Sequence, residues 1–520
     1  MAQGYVHPLP AAKASRARIA SPVETRVRER DVSESAPLNA WRRAALVLGP
    51  LLAVLTPLVV EIPEHPRAPF MLGILLWMAL WWLTECVPLA VTALIPLVAF
   101  PFTGIATAKE TAPRYMTSIM FLFVGGFLIA QAMERTGLHR RIALAILARL
   151  HGSPVALLAG FALTTAFLSM WVSNTATTLL MVTIAMAVLA RLEQSLDAAQ
   201  LARLAPALLL AVAYAANLGG MGTPVGTVPN LVLLENLRQQ DDALVPSFLQ
   251  WMLVGVPMVA AGLAVVLFLF ARRLRGLAWD AGTGAGLMEE RRALGPMGRD
   301  QAFVAWVLGL TALAWLTRRG IQGDDFHLPG WSALLPHPGV DDGTVAMVAA
   351  LLLFLVPVRD GRPVLDHRAI GRLPWEILIL LGGGFALAMG MQRSGLSEWI
   401  GSQSQILAGV PLPLVILGVA ALIVFLTEVT SNTATTQVML PILAAVALAN
   451  GHDLTGVLLA ATLAASCAFM LPVATPPNAI VFATGRVSMD AMARAGFRLN
   501  LLLPFVILAV VWWVRPLLPG

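Results

Sequence analysis

The sequence predicts an all-α polytopic membrane protein built from two like halves, and three observations carry that prediction. Of 520 residues, 58% are hydrophobic and only 12% charged, about half the charge of a soluble domain, and the mean hydropathy is +0.78. Apolar runs long enough to enter a bilayer recur along the chain. The hexapeptide Ser173-Asn174-Thr175-Ala176-Thr177-Thr178 returns unchanged as Ser431-Asn432-Thr433-Ala434-Thr435-Thr436. Other matches keep the same register: Gly125-Gly126-Phe127 answers Gly383-Gly384-Phe385, and Glu134-Arg135-Thr136-Gly137-Leu138 answers Gln392-Arg393-Ser394-Gly395-Leu396. The chain is therefore an internal duplication.

Taken in order, residues 1–43 are polar, carry Lys13, Arg16, Arg18, Arg26, Arg28, Arg30, Arg42 and Arg43, and lack the apolar stretch of a signal peptide. They predict a mobile cytoplasmic tail whose charge sets topology, with contact to anionic lipid as the alternative. Apolar runs follow at about 44–60, 69–84, 87–103, 117–133, 153–191, 205–235 and 250–271. The second half gives about 302–317, 344–358, 374–392, 411–449, 455–484 and 497–514. In each half the hexapeptide sits in the middle of the longest run.

Arginine placement orients the spans. Arg135, Arg140, Arg141 and Arg149, then Arg272 to Arg299, then Arg359, Arg362, Arg368 and Arg372 fall in three loops that belong inside. Asp324, Asp325, Asp341 and Asp342 share a loop assigned outside, where Arg318 and Arg319 are the exception. About eleven transmembrane helices fit, with the N-terminus cytoplasmic and the C-terminus outside. Each half then has five crossings plus one motif-bearing pair, so the halves have opposite orientation and form an inverted repeat. Were the motif-bearing segments full spans, the two hexapeptides would lie on opposite faces, roughly 30 Å apart. Two re-entrant hairpins instead bring identical tips to the midplane, where they can share one ligand.

The next segment of each half agrees. The stretch Asn217 to Asn230 holds four glycines and two prolines, and Leu471-Pro472-Val473-Ala474-Thr475-Pro476-Pro477-Asn478 interrupts the second half at the equivalent place. Proline removes a donor and clashes with the preceding turn, so both spans are expected to unwind near mid-membrane. Irregular backbone at that depth is tolerated where it lines a cavity. Freed carbonyls there suit a cation, and helix N-termini suit an anion.

Charge and cysteine content narrow the function. The formal charge is +6, but the arginines lie in loops between spans rather than on one stripe, which excludes a nucleic-acid surface. Cys86 and Cys467 both lie in apolar runs and indicate neither a disulfide framework nor a thiolate site. The hexapeptides offer hydroxyls with no adjacent His, Lys or Asp to activate them, so no enzyme is expected. Trp81, Trp82, Trp512 and Trp513 read as interfacial anchors, and Glu85 and Glu376 as span-end or capping residues.

Ser-Asn-Thr twice, the two Thr-x-Pro-Asn loops, and the segment Trp81-Trp82-Leu83-Thr84-Glu85-Cys86-Val87-Pro88-Leu89-Ala90-Val91-Thr92-Ala93 resemble the divalent anion/sodium symporter family, which carries dicarboxylates, citrate or sulfate. The resemblance spans about residues 44–514. It implies a homodimer in the lipid bilayer, here a bacterial inner membrane, that works as an elevator. Residues 44–150 and 301–408 would form the scaffold, and 151–300 and 409–520 the transport domain. It further implies that Ser173, Asn174, Thr175 and Thr227 from one half and Ser431, Asn432, Thr433, Thr475 and Pro476 from the other bind the anion. One sodium site would comprise Ser169, Ser173, Asn174 and the Gly226 carbonyl, the other Thr427, Ser431, Asn432 and the Ala474 carbonyl. Neutral oxygens suit a hard cation, and an asparagine can turn its oxygen to the ion and its NH₂ to a carboxylate.

Two residues depart from the repeat. Val228 stands where the second half has Pro476, which weakens the expected anion contact on that side. Glu428 stands where the first half has Met170. A carboxylate at that depth either tunes coupling or proton response, or faces water near the hairpin base. The expected function is sodium-coupled transport of a C4-dicarboxylate such as succinate, malate or fumarate, with sodium as the coupling ion and no other cofactor. A sodium-independent exchanger, a sulfate or citrate carrier and, more remotely, an anion channel are the alternatives.

Overall fold

The computed structural model describes residues 39–150, 152–277, 285–322, 327–337 and 339–518. The expected tail falls outside these up to residue 38, as do Asp324 and Asp325. The protein is mostly helical, and its strands are confined to two short antiparallel pairs among the described residues, Gly320–Gln322 with His327–Pro329 and Pro357–Arg359 with Arg362–Pro363. Among the described residues nine helices are long and apolar enough to cross a membrane, and six further apolar helices are shorter. The first helix, Ala40–Val59, begins four residues before the apolar run and packs mainly on Ala68–Thr84.

The duplication is visible as two helix series in the same order. Ser118–Thr136 and Trp375–Ser394 each end at a glycine in the left-handed region, Gly137 at φ 72° and Gly395 at φ 81°. That conformation closes a helix at no steric cost only for glycine. Each turn leads into a short helix, Leu138–Leu147 and Leu396–Gln403. Next come the motif-bearing hairpins, Pro154–Ser169 with Asn174–Leu192 and Leu412–Leu426 with Asn432–Ala449. Two interrupted helices follow, Ala198–Gly219 resuming at Val228–Gln240, and Leu454–Ala465 resuming at Pro476–Ala483. Phe248–Ala271 and Met489–Val514 close the two series.

Proline alone does not cause the interruptions. Pro206, Pro257, Pro441 and Pro504 lie inside continuous helices. Pro229, Pro476 and Pro477 instead stand in the first turn of the resumed helix, where the missing N–H has no intrahelical partner to lose. Pro224 and Pro472 lie within the loops themselves. At the centre of the molecule is Ala198–Gly219, buried almost continuously from Leu204 onward. It packs against both arms of the first hairpin, Phe248–Ala271 and the resumed helix Pro476–Ala483 of the other half.

One expectation changes, and one exception finds its reason. Trp82 is not an interfacial anchor: it is 1% exposed, and its indole N–H donates to the Leu89 carbonyl, which makes it part of the packing of the following turn. Trp512 and Trp513 are exposed as expected. Arg318 is not a topology charge: it is 6% exposed and paired at 2.6 Å with Asp342. A buried arginine with its own carboxylate carries no net charge for a positive-inside count.

Candidate functional site

Both hairpins place their tips against both interrupted helices, around one cavity of about 340 Å³. Its wall includes every residue expected to meet the anion: Ser173, Asn174, Thr175 and Thr227 from one half, and Ser431, Asn432, Thr433, Thr475 and Pro476 from the other. Val228, the departure from the repeat, lines it as well, and so do Gly226 and Ala474. Phe123, Phe127, Ile377 and Leu380 line it from the two glycine-ended helices. Among the described residues no ionisable side chain lines it. Positive potential comes from the backbone instead, because the helices starting at Asn174, Val228, Asn432 and Pro476 all begin at this wall. Their aligned peptide dipoles favour an anion, and the helices starting at Asn174 and Asn432 add first-turn N–H groups that no proline replaces.

Behind each asparagine lies a cluster of neutral oxygens. The Ser169 hydroxyl is 2.6 Å from the Asn174 Oδ1 and 2.8 Å from the Ala216 carbonyl. In the other half the Thr427 hydroxyl is 2.7 Å from the Asn432 Oδ1 and 2.9 Å from the Ala465 carbonyl. A hydroxyl owns one proton and can donate along only one of its two contacts. Each cluster therefore holds three oxygens with one hydrogen among them, a donor set that fits a hard cation such as sodium. Ser169 and Thr427 are fully buried and reach the cavity through the asparagines.

The loops of the interrupted helices are stitched by residues that their motifs end on. The Asn230 amide donates to the carbonyls of Gly220 and Thr223 at 3.0 and 2.8 Å. The Asn478 amide donates to those of Ala468 and Leu471 at 3.1 and 3.0 Å. Carbonyls freed by the break are thus satisfied without water. The first loop is also close-packed: a Cβ on Gly220 would stand 2.9 Å from the Asn174 Oδ1 and 3.1 Å from the Thr227 Cβ, so only glycine leaves room there for the asparagine. In the sequence Asn217, Asn230 and Asn478 stand only as loop boundaries, and the Ala216 and Ala465 carbonyls do not stand out at all. Asparagine at the end of both loops in equal register was the available signal for the first kind. A carbonyl that precedes the loop carries no sequence mark.

Glu428 does not face water. It is 4% exposed, and its carboxylate accepts backbone N–H groups from Phe469, Met470 and Leu471 at 2.6 to 3.3 Å. The Asn500 amide donates to it at 2.8 Å. The second hairpin tip is thereby tied to the second loop and to the last long helix. In the first half the matching tie is neutral, the Thr223 hydroxyl donating to the Met170 carbonyl at 2.6 Å.

Comparison with known proteins places this arrangement. The sodium:sulfate symporter transmembrane region matches residues 38–518. A protein of Staphylococcus saprophyticus named sodium-dependent dicarboxylate transporter SdcS is 40% identical over 499 residues, covering 93% of each chain. The protein of the same name from Staphylococcus aureus strain USA300 is 38% identical over 495 residues with the same coverage. Among solved structures, the Alcanivorax borkumensis YdaH transporter superposes with a TM-score of 0.52 at 15% identity, covering 92% of this chain and 98% of that one. Neisseria gonorrhoeae MtrF gives 0.54 at 12% identity, covering 89% and 97%. At these identities the two structures speak for the fold alone.

Proposed function

The chain belongs to the sodium:sulfate symporter family, and from that premise we propose that it is a sodium-coupled carrier of a C4-dicarboxylate such as succinate, malate or fumarate. The observation that carries this reading is the uncharged cavity on which four helix N-termini converge, flanked by two oxygen clusters. A doubly charged anion held without arginine or lysine needs cations beside it, and sodium bound at the clusters would supply that charge. The hydroxyls of Ser173, Thr175, Ser431 and Thr433 would donate to the two carboxylates, together with the asparagine NH₂ groups and Thr227 and Thr475. The relatives named as sodium-dependent dicarboxylate transporters support this substrate class over sulfate.

The hairpins would be re-entrant, with about eleven spans around them. Residues 151–300 and 409–520 would move as a transport domain against the scaffold of 44–150 and 301–408, in an elevator homodimer. The wall formed by Phe123, Phe127, Ile377 and Leu380 would stand where the two parts meet. A second hollow starts at Phe127 and is edged by Gln131, Arg135, Asp366, Arg368 and Arg372, which supports an opening toward the arginine-rich, cytoplasmic side. The test is uptake of radiolabelled succinate into proteoliposomes with and without a sodium gradient, with malate, citrate, sulfate and 2-oxoglutarate as competitors. Sodium-driven uptake that malate inhibits better than sulfate is expected. Uptake indifferent to sodium would replace the symporter with an exchanger.

A further inference from the structure

Two threonines that line the cavity, Thr227 and Thr475, occupy equal places in the repeat but not equal hydrogen-bond environments. Thr475 caps its helix, its hydroxyl oxygen accepting the backbone N–H of Asn478 at 3.4 Å. The same oxygen accepts from the Asn217 amide at 3.1 Å. Thr227 stands at the same position of its helix and makes no capping bond. The difference arises from the other repeat. Asn217 follows Ala216, whose carbonyl answers that of Ala465 at the second cluster, so its counterpart is Ser466, which has no amide to offer.

The direction of the Asn217 bond is fixed by its second contact. One N–H of its amide points to the Ala468 carbonyl at 3.2 Å, and a carbonyl can only accept. The group facing that carbonyl must be the NH₂, which leaves its other hydrogen for the Thr475 oxygen. A hydroxyl oxygen has two acceptor positions and one proton. Both positions at Thr475 are filled from the protein side, by Asn217 and by the Asn478 backbone. The proton has no acceptor among the described residues and has one direction left, toward the cavity that Thr475 lines.

We propose that Asn217 is a positioning residue for anion recognition: by donating to Thr475 across the repeat boundary, it presents the Thr475 proton to one carboxylate of the substrate. The proposal rests on the reading of this cavity as the anion site. A donor aimed before binding spares the cost of orienting it at binding, and a bond to a charged oxygen is stronger than one between neutral groups. The Thr475 side is thus the pre-set half of the cavity, while the Thr227 hydroxyl turns to suit the ligand. Specificity for a particular anion should accordingly be more sensitive to changes at Thr475 and Asn217 than at Thr227.

The test is a double-mutant cycle on succinate binding to the purified protein at saturating sodium, using Asn217→Ala, Thr475→Val and the pair. Removing the Asn217 amide leaves the Ala468 carbonyl still bonded to Asn478, so no buried acceptor is orphaned. Thr475→Val is expected to weaken succinate by about ten- to a hundredfold and Asn217→Ala by about three- to tenfold. The pair should be no weaker than Thr475→Val alone, within about twofold, because without the hydroxyl there is nothing left to aim. Sodium-induced thermal stabilisation without succinate should match the wild type in all three. Asn217→Leu, of similar volume, carries the same test if the alanine variant does not fold. Losses that multiply in the pair, or wild-type affinity for Asn217→Ala, would overturn the positioning role and leave the site reading intact. Wild-type affinity for Thr475→Val would overturn both.

Discussion

The Thr427 hydroxyl donates toward the Asn432 amide oxygen at 2.7 Å, and Ser169 stands in the same relation to Asn174 at 2.6 Å. Each pair joins the end of a hairpin's first arm to the first residue of its second arm and adds a backbone carbonyl from the neighbouring interrupted helix. The repeat has therefore built the same oxygen cluster twice from different hydroxyl residues.

Thr427→Val and Ser169→Ala remove one oxygen from a cluster while leaving both Ser-Asn-Thr tips in place. Losing one neutral ligand should cost about 1–3 kcal/mol, which raises the sodium needed for half-maximal succinate binding by about five- to a hundredfold. By linkage, succinate should then strengthen sodium binding by the same factor as sodium strengthens succinate binding. Sodium titrations of both variants check this, and an unchanged sodium midpoint in both would count against the clusters as ion sites.

Asn174→Ala and Asn432→Ala take away the one side chain in each half that belongs to both a cluster and the cavity wall. Each should abolish measurable succinate binding and sodium-induced stabilisation together while the protein still elutes as a single folded species. Succinate uptake at wild-type rates by either variant would contradict a shared site.

Glu428 supplies the strongest tie between a hairpin and a loop. Replacing it by leucine strands the Phe469, Met470 and Leu471 N–H groups and the Asn500 amide, and should cost about 3–5 kcal/mol. Glu428→Gln keeps the shape but loses the charge-assisted bonds, at about 1–3 kcal/mol. Thr223→Val, which cuts the neutral tie of the first half, should cost about 1 kcal/mol. Thermal midpoints in detergent should fall in the order wild type, Thr223→Val, Glu428→Gln, Glu428→Leu. A leucine variant at least as stable as Thr223→Val would show that the carboxylate does not hold the loop.

Orientation can be read by labelling. Arg292→Cys should react with an impermeant maleimide only from the cytoplasmic side and His337→Cys only from outside. His337 is exposed and spares Asp341, whose carboxylate caps the next helix through the Thr344 N–H at 2.8 Å. The reverse pattern would invert the topology.

Much of this architecture could be read from the residues because the duplication repeats its signals. Two identical hexapeptides and two proline-rich loops mark the hairpins and the broken helices, and all nine expected anion contacts line one cavity. What stayed hidden depends on tertiary placement. Trp82 reads as an anchor beside Trp81 until its indole is seen turned onto Leu89. Arg318 reads as a loop charge until Asp342, 24 residues away, is found against it. Glu428 could be weighed as exposed or buried, because its partners at 469–471 and Asn500 are backbone groups and a distant amide. Asn217 reaches its partner Thr475 in the other half, a contact that no local spacing announces.

The helix leading into the first loop has 22 residues and its counterpart in the second half has 12. At 1.5 Å per residue the difference amounts to about 15 Å of helix. The two oxygen clusters mirror each other, yet the buried helices that carry their carbonyls do not, so matched chemistry at the centre rests on supports of unequal length. Any difference in sodium affinity between the two clusters would then originate in those supports rather than in the ligands, and exchanging the segments that precede the two loops would be the way to move it.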